Sequence, residues 1–233
     1  MLRSPAIGAL VLALAAAAAG PERAPVLVEL FTSEGCSSCP PADAALAQLD
    51  RQAIVLSEHV DYWDQLGWKD RFSSEAFTQR QQAYAKGFGI DSPYTPQMVV
   101  DGQAQFVGSD TRRAAQEIAK AAARSKASIV LVRSGAGVKV TVEGAPREAD
   151  IWLALADNSA STEVRNGENR GHTLRHVAVV RSMRKIGSVK RGGTFGKQVD
   201  LPGSATGQRV VVFLQEAGQA HVLGAAMLPS AEN

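Results

Sequence analysis

The sequence predicts an α/β domain built on a mixed sheet, followed by an all-β domain of sandwich type. Three observations predict it. From Val26 to about Arg124, short apolar runs alternate with helical stretches, the rhythm of strands joined by crossover helices. After about Ser125, strand-like runs follow one another between Gly, Asn and Pro turns, and no convincing helix intervenes. The chain has 233 residues, 45% hydrophobic and 21% charged, which suits one large or two small cores at ~100–200 residues per domain.

Val26–Phe31 is apolar apart from Glu29 and reads as a buried strand. Pro40 to about Asp50 is rich in Ala and Leu, with its prolines at the start, where a helix tolerates them. Ile54–Val60 is a second strand. Ser73 to Lys86 reads as a polar helix ended by Gly87. Gln97–Val100 and Gln105–Val107 flank Asp101-Gly102, a strong hairpin signal. Asp110 to Arg124 reads as a helix capped by Asp110, with Ala115, Ile118, Ala119 and Ala122 on one face. The order β-α-β-α-β-β-α implies a parallel front pair with a right-handed crossover and a closing hairpin that makes the sheet mixed. Beyond a boundary near 124–128, Ile129–Arg133 and Val138–Val142 flank a Gly135-Ala136-Gly137 turn. Ile151–Ala156, Leu174–Met183, Thr194–Val199, Arg209–Gln215 and Val222–Met227 complete the second set. A long polar connection, Asn158–His172, separates two of them.

Residues 1–19 read as an address. Met1-Leu2-Arg3 is a basic start, Ala6 to Ala19 is apolar, and Ala17-Ala18-Ala19 fits small-residue cleavage. The run falls short of the ~20 residues that span a bilayer. The expected organisation is therefore a signal peptide at 1–19, an α/β domain at 20–125 and a β-rich domain at 126–233. The expected location is periplasmic or secreted, without stable membrane insertion after cleavage, where disulfides persist. A formal net charge of +2 makes no global case for nucleic acid or anionic lipid. Arg165, Arg170, Arg175, Arg181, Arg184, Lys185, Lys190 and Arg191 form a basic-biased region, read as a solvated face rather than a nucleic-acid surface.

Both cysteines lie in Gly35-Cys36-Ser37-Ser38-Cys39-Pro40-Pro41, between the first strand and the first helix. Two intervening residues at a helix start bring the sulfurs to disulfide distance. The positive helix end favours a thiolate on the first. Cys36 is then the attacking and more accessible sulfur, and Cys39 the resolving one. An inert disulfide remains open as an alternative, as does a copper(I) site, since copper(I) is satisfied by soft sulfur. No second pair completes a zinc set.

Tyr94-Thr95-Pro96-Gln97 places a proline just before the third strand of this frame. At this point the chain resembles the thioredoxin-like superfamily over about residues 26–124. The resemblance implies that Pro96 is a cis-proline beside the cysteines and that Thr95 contacts a bound polypeptide backbone. It also implies that a buried acid before the cysteines assists proton transfer to Cys39, a role that falls on Glu29. A narrower likeness rests on Glu29 to Asp43, Tyr94-Thr95-Pro96-Gln97 and Gly167-Glu168-Asn169-Arg170-Gly171. These segments resemble the secreted bacterial domain-of-unknown-function family 1223, for which no substrate is implied. Departures from ordinary thioredoxins are the missing tryptophan before Cys36, the Ser-Ser dipeptide and the double proline.

His59 and Asp61, at the end of the second strand, are candidates to line the cysteine cleft, with Trp63 and Trp68 as its rim. His172 and His176 have i,i+4 spacing, but no third metal ligand is evident. Glu168, Asn169 and Arg170 are candidates to bring their loop across the cleft. The functional expectation is an exported thiol–disulfide oxidoreductase acting on a thiol or disulfide of a protein or small molecule, with no organic cofactor. The alternative is a non-enzymatic exported binding protein of the same fold, either a copper-handling module or a recruiter of partners.

Overall fold

Residues 24–202 and 207–230 are described by the computed structural model, so the leader at 1–19 lies outside the described residues. In chain order the elements are β1 (Leu27–Thr32), α1 (Pro40–Leu49), β2 (Ile54–His59), α2 (Glu75–Phe88), β3 (Gln97–Val100), β4 (Ala104–Val107) and α3 (Thr111–Ala122). Then follow β5 (Ser128–Ser134), β6 (Gly137–Glu143), β7 (Ala149–Glu163), β8 (Thr173–Val189), β9 (Phe195–Asp200), β10 (Gln208–Gln215) and β11 (Val222–Leu228).

β1 and β2 are parallel, with α1 as their crossover, and every residue of both strands is buried. That is what near-continuous apolar runs require when both sheet faces are covered. β3 pairs antiparallel with β1, and β4 closes that edge. One helix end differs from the sequence reading: α2 runs through Gly87 and stops at Gly89, whose φ of 67° forms the left-handed cap. α3 is capped by Asp110 as expected, but buries Ala114, Ile118 and Ala121. Alanines flank Ile118 on both sides of the helix, so composition alone did not choose the face.

The second half departs from the expected separate sandwich. β8 pairs parallel with β2, and β7, β10 and β11 follow it, giving one eight-stranded sheet ordered β11-β10-β7-β8-β2-β1-β3-β4. β5, β6 and β9 form a second, antiparallel sheet. Pattern alone could not distinguish strands that pair among themselves from strands that extend an existing sheet edge. Along β1, Val28 and Leu30 pack with Ala42 and Leu46 of α1, whereas Leu27 packs with Phe77 of α2. Ala154, Ala156, Val211 and Phe213 extend that α2-side core into β7 and β10. The alternating Ile151, Leu153, Val210 and Val212 pack instead against Val138, Val140 and Val142 of the small sheet. β7 and β8 are long, 15 and 17 residues, and carry the loop between them far from the small sheet.

Candidate functional site

Cys36 and Cys39 are joined by a disulfide at the carboxyl end of β1. Cys39 is the N-cap of α1 and already has helical φ and ψ (−79°, −36°). Its N–H donates to the Cys36 carbonyl at 3.2 Å, and its carbonyl accepts from Ala42 and Asp43. Pro40 and Pro41 occupy the first helical positions and have no N–H to offer. The Ser37 N–H donates to Glu168 Oε2 at 3.0 Å. Few free amides are therefore left to stabilise a thiolate in this turn.

Both cysteines are 0% exposed, so the expected difference in accessibility between Cys36 and Cys39 is absent. The cover comes partly from the β7–β8 loop. Asn169 Nδ2 donates to the carbonyls of Glu34 (2.9 Å) and Cys36 (3.0 Å) from more than 130 positions away in sequence. The connection is shorter than expected, because β7 continues to Glu163 and only residues 164–172 are loop.

The Thr95–Pro96 bond is cis. Phe31 pairs with Gln97, which sets Pro96 beside the start of the cysteine turn. A Cβ built on Gly108 would lie 3.0 Å from Ala42 Cβ and 3.4 Å from Pro96 Cβ. Gly108 therefore sits between the first turn of α1 and Pro96, where a side chain would crowd both. Trp63 lies against Gly35 and donates from Nε1 to Thr95 Oγ1 at 2.8 Å. Trp68 donates to Glu34 Oε2 at 2.8 Å, so both tryptophans wall the turn.

Glu29 requires correction. Its side chain lies on the opposite sheet face from α1 and Cys39, because it alternates with Val28 and Leu30. There it accepts from Arg80 Nε at 2.7 Å and from Tyr84 Oη. Asp61 also turns away, accepting from Thr78 of α2. His172 is exposed while His176 is buried, and among the described residues no group of three His, Cys, Asp or Glu is placed to hold a metal ion. The arginines and lysines of the basic-biased region are exposed.

His59 does face the α1 side, where it joins a buried cluster with Glu34, Asp43, Asp70 and His176. Sequence reading assigned no role to Asp43 or Asp70. Asp43 lay inside a quoted motif, but Asp70 carried no signal at all. Burial opposes ionisation of Asp70, but the His59 charge and hydrogen bond, with the N–H groups of Glu34 and Phe72, outweigh it and lower its pKa. Burial would likewise lower the His176 pKa, yet the nearby Asp43, then Glu34 and Asp70, raise it.

The linkage has opposite signs for the two groups. The Asp70 contribution is present above its ordinary 3.8 and is lost as pH falls through the lowered value. The His176 contribution is present below its ordinary 6.5 and is lost as pH rises through the raised value. Urea unfolding across pH should therefore show the stability difference between wild type and His176→Asn shrinking above pH 6.5. A difference that grows on the alkaline side would contradict the assignment.

Solved structures and a family profile place the chain among known proteins. The crystal structure of protein AGR_C_4864 from Agrobacterium tumefaciens is similar at a TM-score of 0.79 and 28% identity, over 92% of this chain and 98% of that one. HBP35 of Porphyromonas gingivalis shares the fold at a TM-score of 0.58 and 15% identity, over 92% of this chain and 77% of that one. A comparison with curated proteins gives no match. The profile described as "Protein of unknown function (DUF1223)" matches residues 27–215, and the chain belongs to that family.

Proposed function

We propose that this protein is an exported thiol–disulfide exchange protein whose first half is thioredoxin-like. The observation that carries the reading is the Cys36–Cys39 disulfide across the entry to α1, at the carboxyl end of a central parallel strand. Pro96 and Thr95 beside it support a role in holding the backbone of an extended partner. In the proposed exchange, an incoming thiolate attacks Cys36, the Cys36–Cys39 bond breaks and Cys39 leaves as a thiolate. A second thiol of the donor then displaces Cys36, so the donor leaves as a disulfide and the protein as a dithiol. The reverse sequence oxidises a dithiol partner. No organic cofactor enters either direction. Because both sulfurs are covered, the partner is a small thiol or a segment admitted by movement of the 164–172 loop.

Equilibration with reduced and oxidised glutathione tests this. Wild type should show one two-electron couple, Cys36→Ser should abolish exchange, and Cys39→Ser should accumulate a mixed disulfide on Cys36. A wild-type disulfide that neither reduces nor exchanges would sink the proposal. Tight copper(I) binding by the reduced protein without exchange would favour the binding-protein alternative.

A further inference from the structure

Five titratable side chains from five parts of the chain meet beneath the cysteine turn, all buried. Glu34 precedes the turn, Asp43 lies in α1, His59 ends β2, Asp70 follows in the next loop and His176 comes from β8. One pair is satisfied: His59 Nδ1 lies 2.6 Å from Asp70 Oδ2. The rest is loose. His176 Nδ1 is 3.6 Å from Asp43 Oδ2 and His176 Nε2 is 3.7 Å from Glu34 Oε1, both too long for good hydrogen bonds. Neither ring nitrogen of His176 has a hydrogen-bond partner, nor do Glu34 Oε1, Asp43 Oδ1 and His59 Nε2. Each buried polar atom left without a partner forfeits the hydration it had in the unfolded chain. Such a concentration at one place is costly for stability and calls for a role in chemistry.

The cluster lies between the cysteine turn and a surface cleft. Cys39 has helical geometry, so Asp43, four residues on, shares its helix face, and the Asp43 N–H donates to the Cys39 carbonyl at 3.1 Å. On the other side, Asp43 and His176 both line a cleft of about 720 Å³ between α1 and the β7–β8 hairpin. The chemistry creates a need for this path. When the disulfide opens, Cys39 leaves as a thiolate inside a covered turn whose two leading prolines supply no N–H. An unpaired charge there is costly, so a proton must follow.

We propose that Asp43 and His176 form the proton relay of the Cys36–Cys39 couple, with Asp43 exchanging the proton with Cys39 and His176 exchanging it with the cleft. This rests on the thiol–disulfide reading. On reduction, the donor thiolate forms a bond to Cys36 and the S–S electron pair passes to Cys39. The imidazolium of His176 gives a proton to the Asp43 carboxylate, Asp43 passes it to Cys39, and His176 recovers its own from the cleft. Oxidation runs the same steps backwards. The charged groups facing His176 are Asp43 from α1, Glu34 from the turn, Asp70 from the following loop and His59 from β2. Together the three carboxylates favour the protonated ring, the form that can donate.

The test is the rate of disulfide reduction by dithiothreitol in the full chain from pH 5 to 9, divided by the dithiothreitol thiolate concentration. In wild type the normalised rate should fall as pH rises through the titration of His176. In Asp43→Asn and His176→Gln that fall should vanish, with rates at pH 6 on the order of 10²-fold below wild type. Wild type should also show, by NMR, a His176 imidazole midpoint that differs between the oxidised and reduced protein, a reading that needs no variant to fold. A flat normalised profile in wild type, folded variants that keep the wild-type profile, or identical midpoints would each overturn the relay while leaving exchange intact. Absence of any exchange in wild type would remove the thiol–disulfide reading, and the relay with it.

Discussion

Replacing Arg80 with leucine is expected to lower stability by about 3–5 kcal/mol at pH 7, the cost of stripping a buried charge of its partner. Arg80 is buried between α2 and the sheet. Its Nε donates to Glu29, and its Nη2 donates to Gln215 Oε1 at 2.9 Å and to Tyr84 Oη at 3.2 Å. Glu58 Oε2 lies 3.5 Å from the same Nε, and neither Glu58 oxygen has a hydrogen-bond partner. Without the guanidinium, Glu29 and Glu58 face each other with no cation between them. Burial, and then the charge of Glu29, already raise the Glu58 pKa well above its ordinary value. The loss should therefore shrink as pH falls and the carboxylates take up protons. Glu58→Gln should behave oppositely: its stability should match or exceed wild type near pH 8, because it removes a carboxylate that costs more as pH rises through its raised pKa. Guanidinium unfolding at pH 5 and pH 8 measures all three proteins. An Arg80→Leu variant within about 1 kcal/mol of wild type would show that the network contributes little.

Residues 24–125 alone are expected not to fold, even though they contain the cysteine turn and Pro96. The α2 side of β1 and β2 is covered by Ala154, Ala156, Val180, Val211 and Phe213, all from later strands. Cutting the chain would also unpair the β8 side of β2 and remove Arg209, which grips Asp50 after α1 with bonds of 2.6 and 3.0 Å. It would further strip Asp101 of Lys126, 2.6 Å away. Circular dichroism and limited proteolysis of the fragment should report an unfolded chain. In the intact protein, Phe213→Ala should cost about 3–5 kcal/mol and lower the whole transition, including signals from Trp63 and Trp68. A fragment with a cooperative transition of its own would establish an independent unit ending near residue 125.

Much of the first half was legible in the sequence because its signals are local. Continuous apolar runs marked β1 and β2, Pro40-Pro41 marked the start of α1, and Asp101-Gly102 marked the β3–β4 hairpin. The two-residue gap between Cys36 and Cys39 placed both sulfurs at that helix start. Local signals also misled. Gly87 looked like a helix stop, yet the helix runs on to Phe88 and is capped by Gly89, the glycine that takes a positive φ. The resemblance to thioredoxins gave Glu29 the role of an acid for Cys39, but strand alternation turned it to the other face, towards Arg80.

What the sequence by itself determined was the set of elements and the place of the cysteine pair among them, because helix caps, turns and side-chain period act over a few residues. Only the tertiary structure decided that β8 joins β2. The choice between extending a sheet and building a new one depends on which exposed edge and apolar face later strands meet. That pairing brings His176 to Asp43, lays Asn169 over Cys36 and seats Phe213 on Leu27. No local pattern specifies these contacts, since they span some 130 residues or more and are settled by burial across the whole sheet.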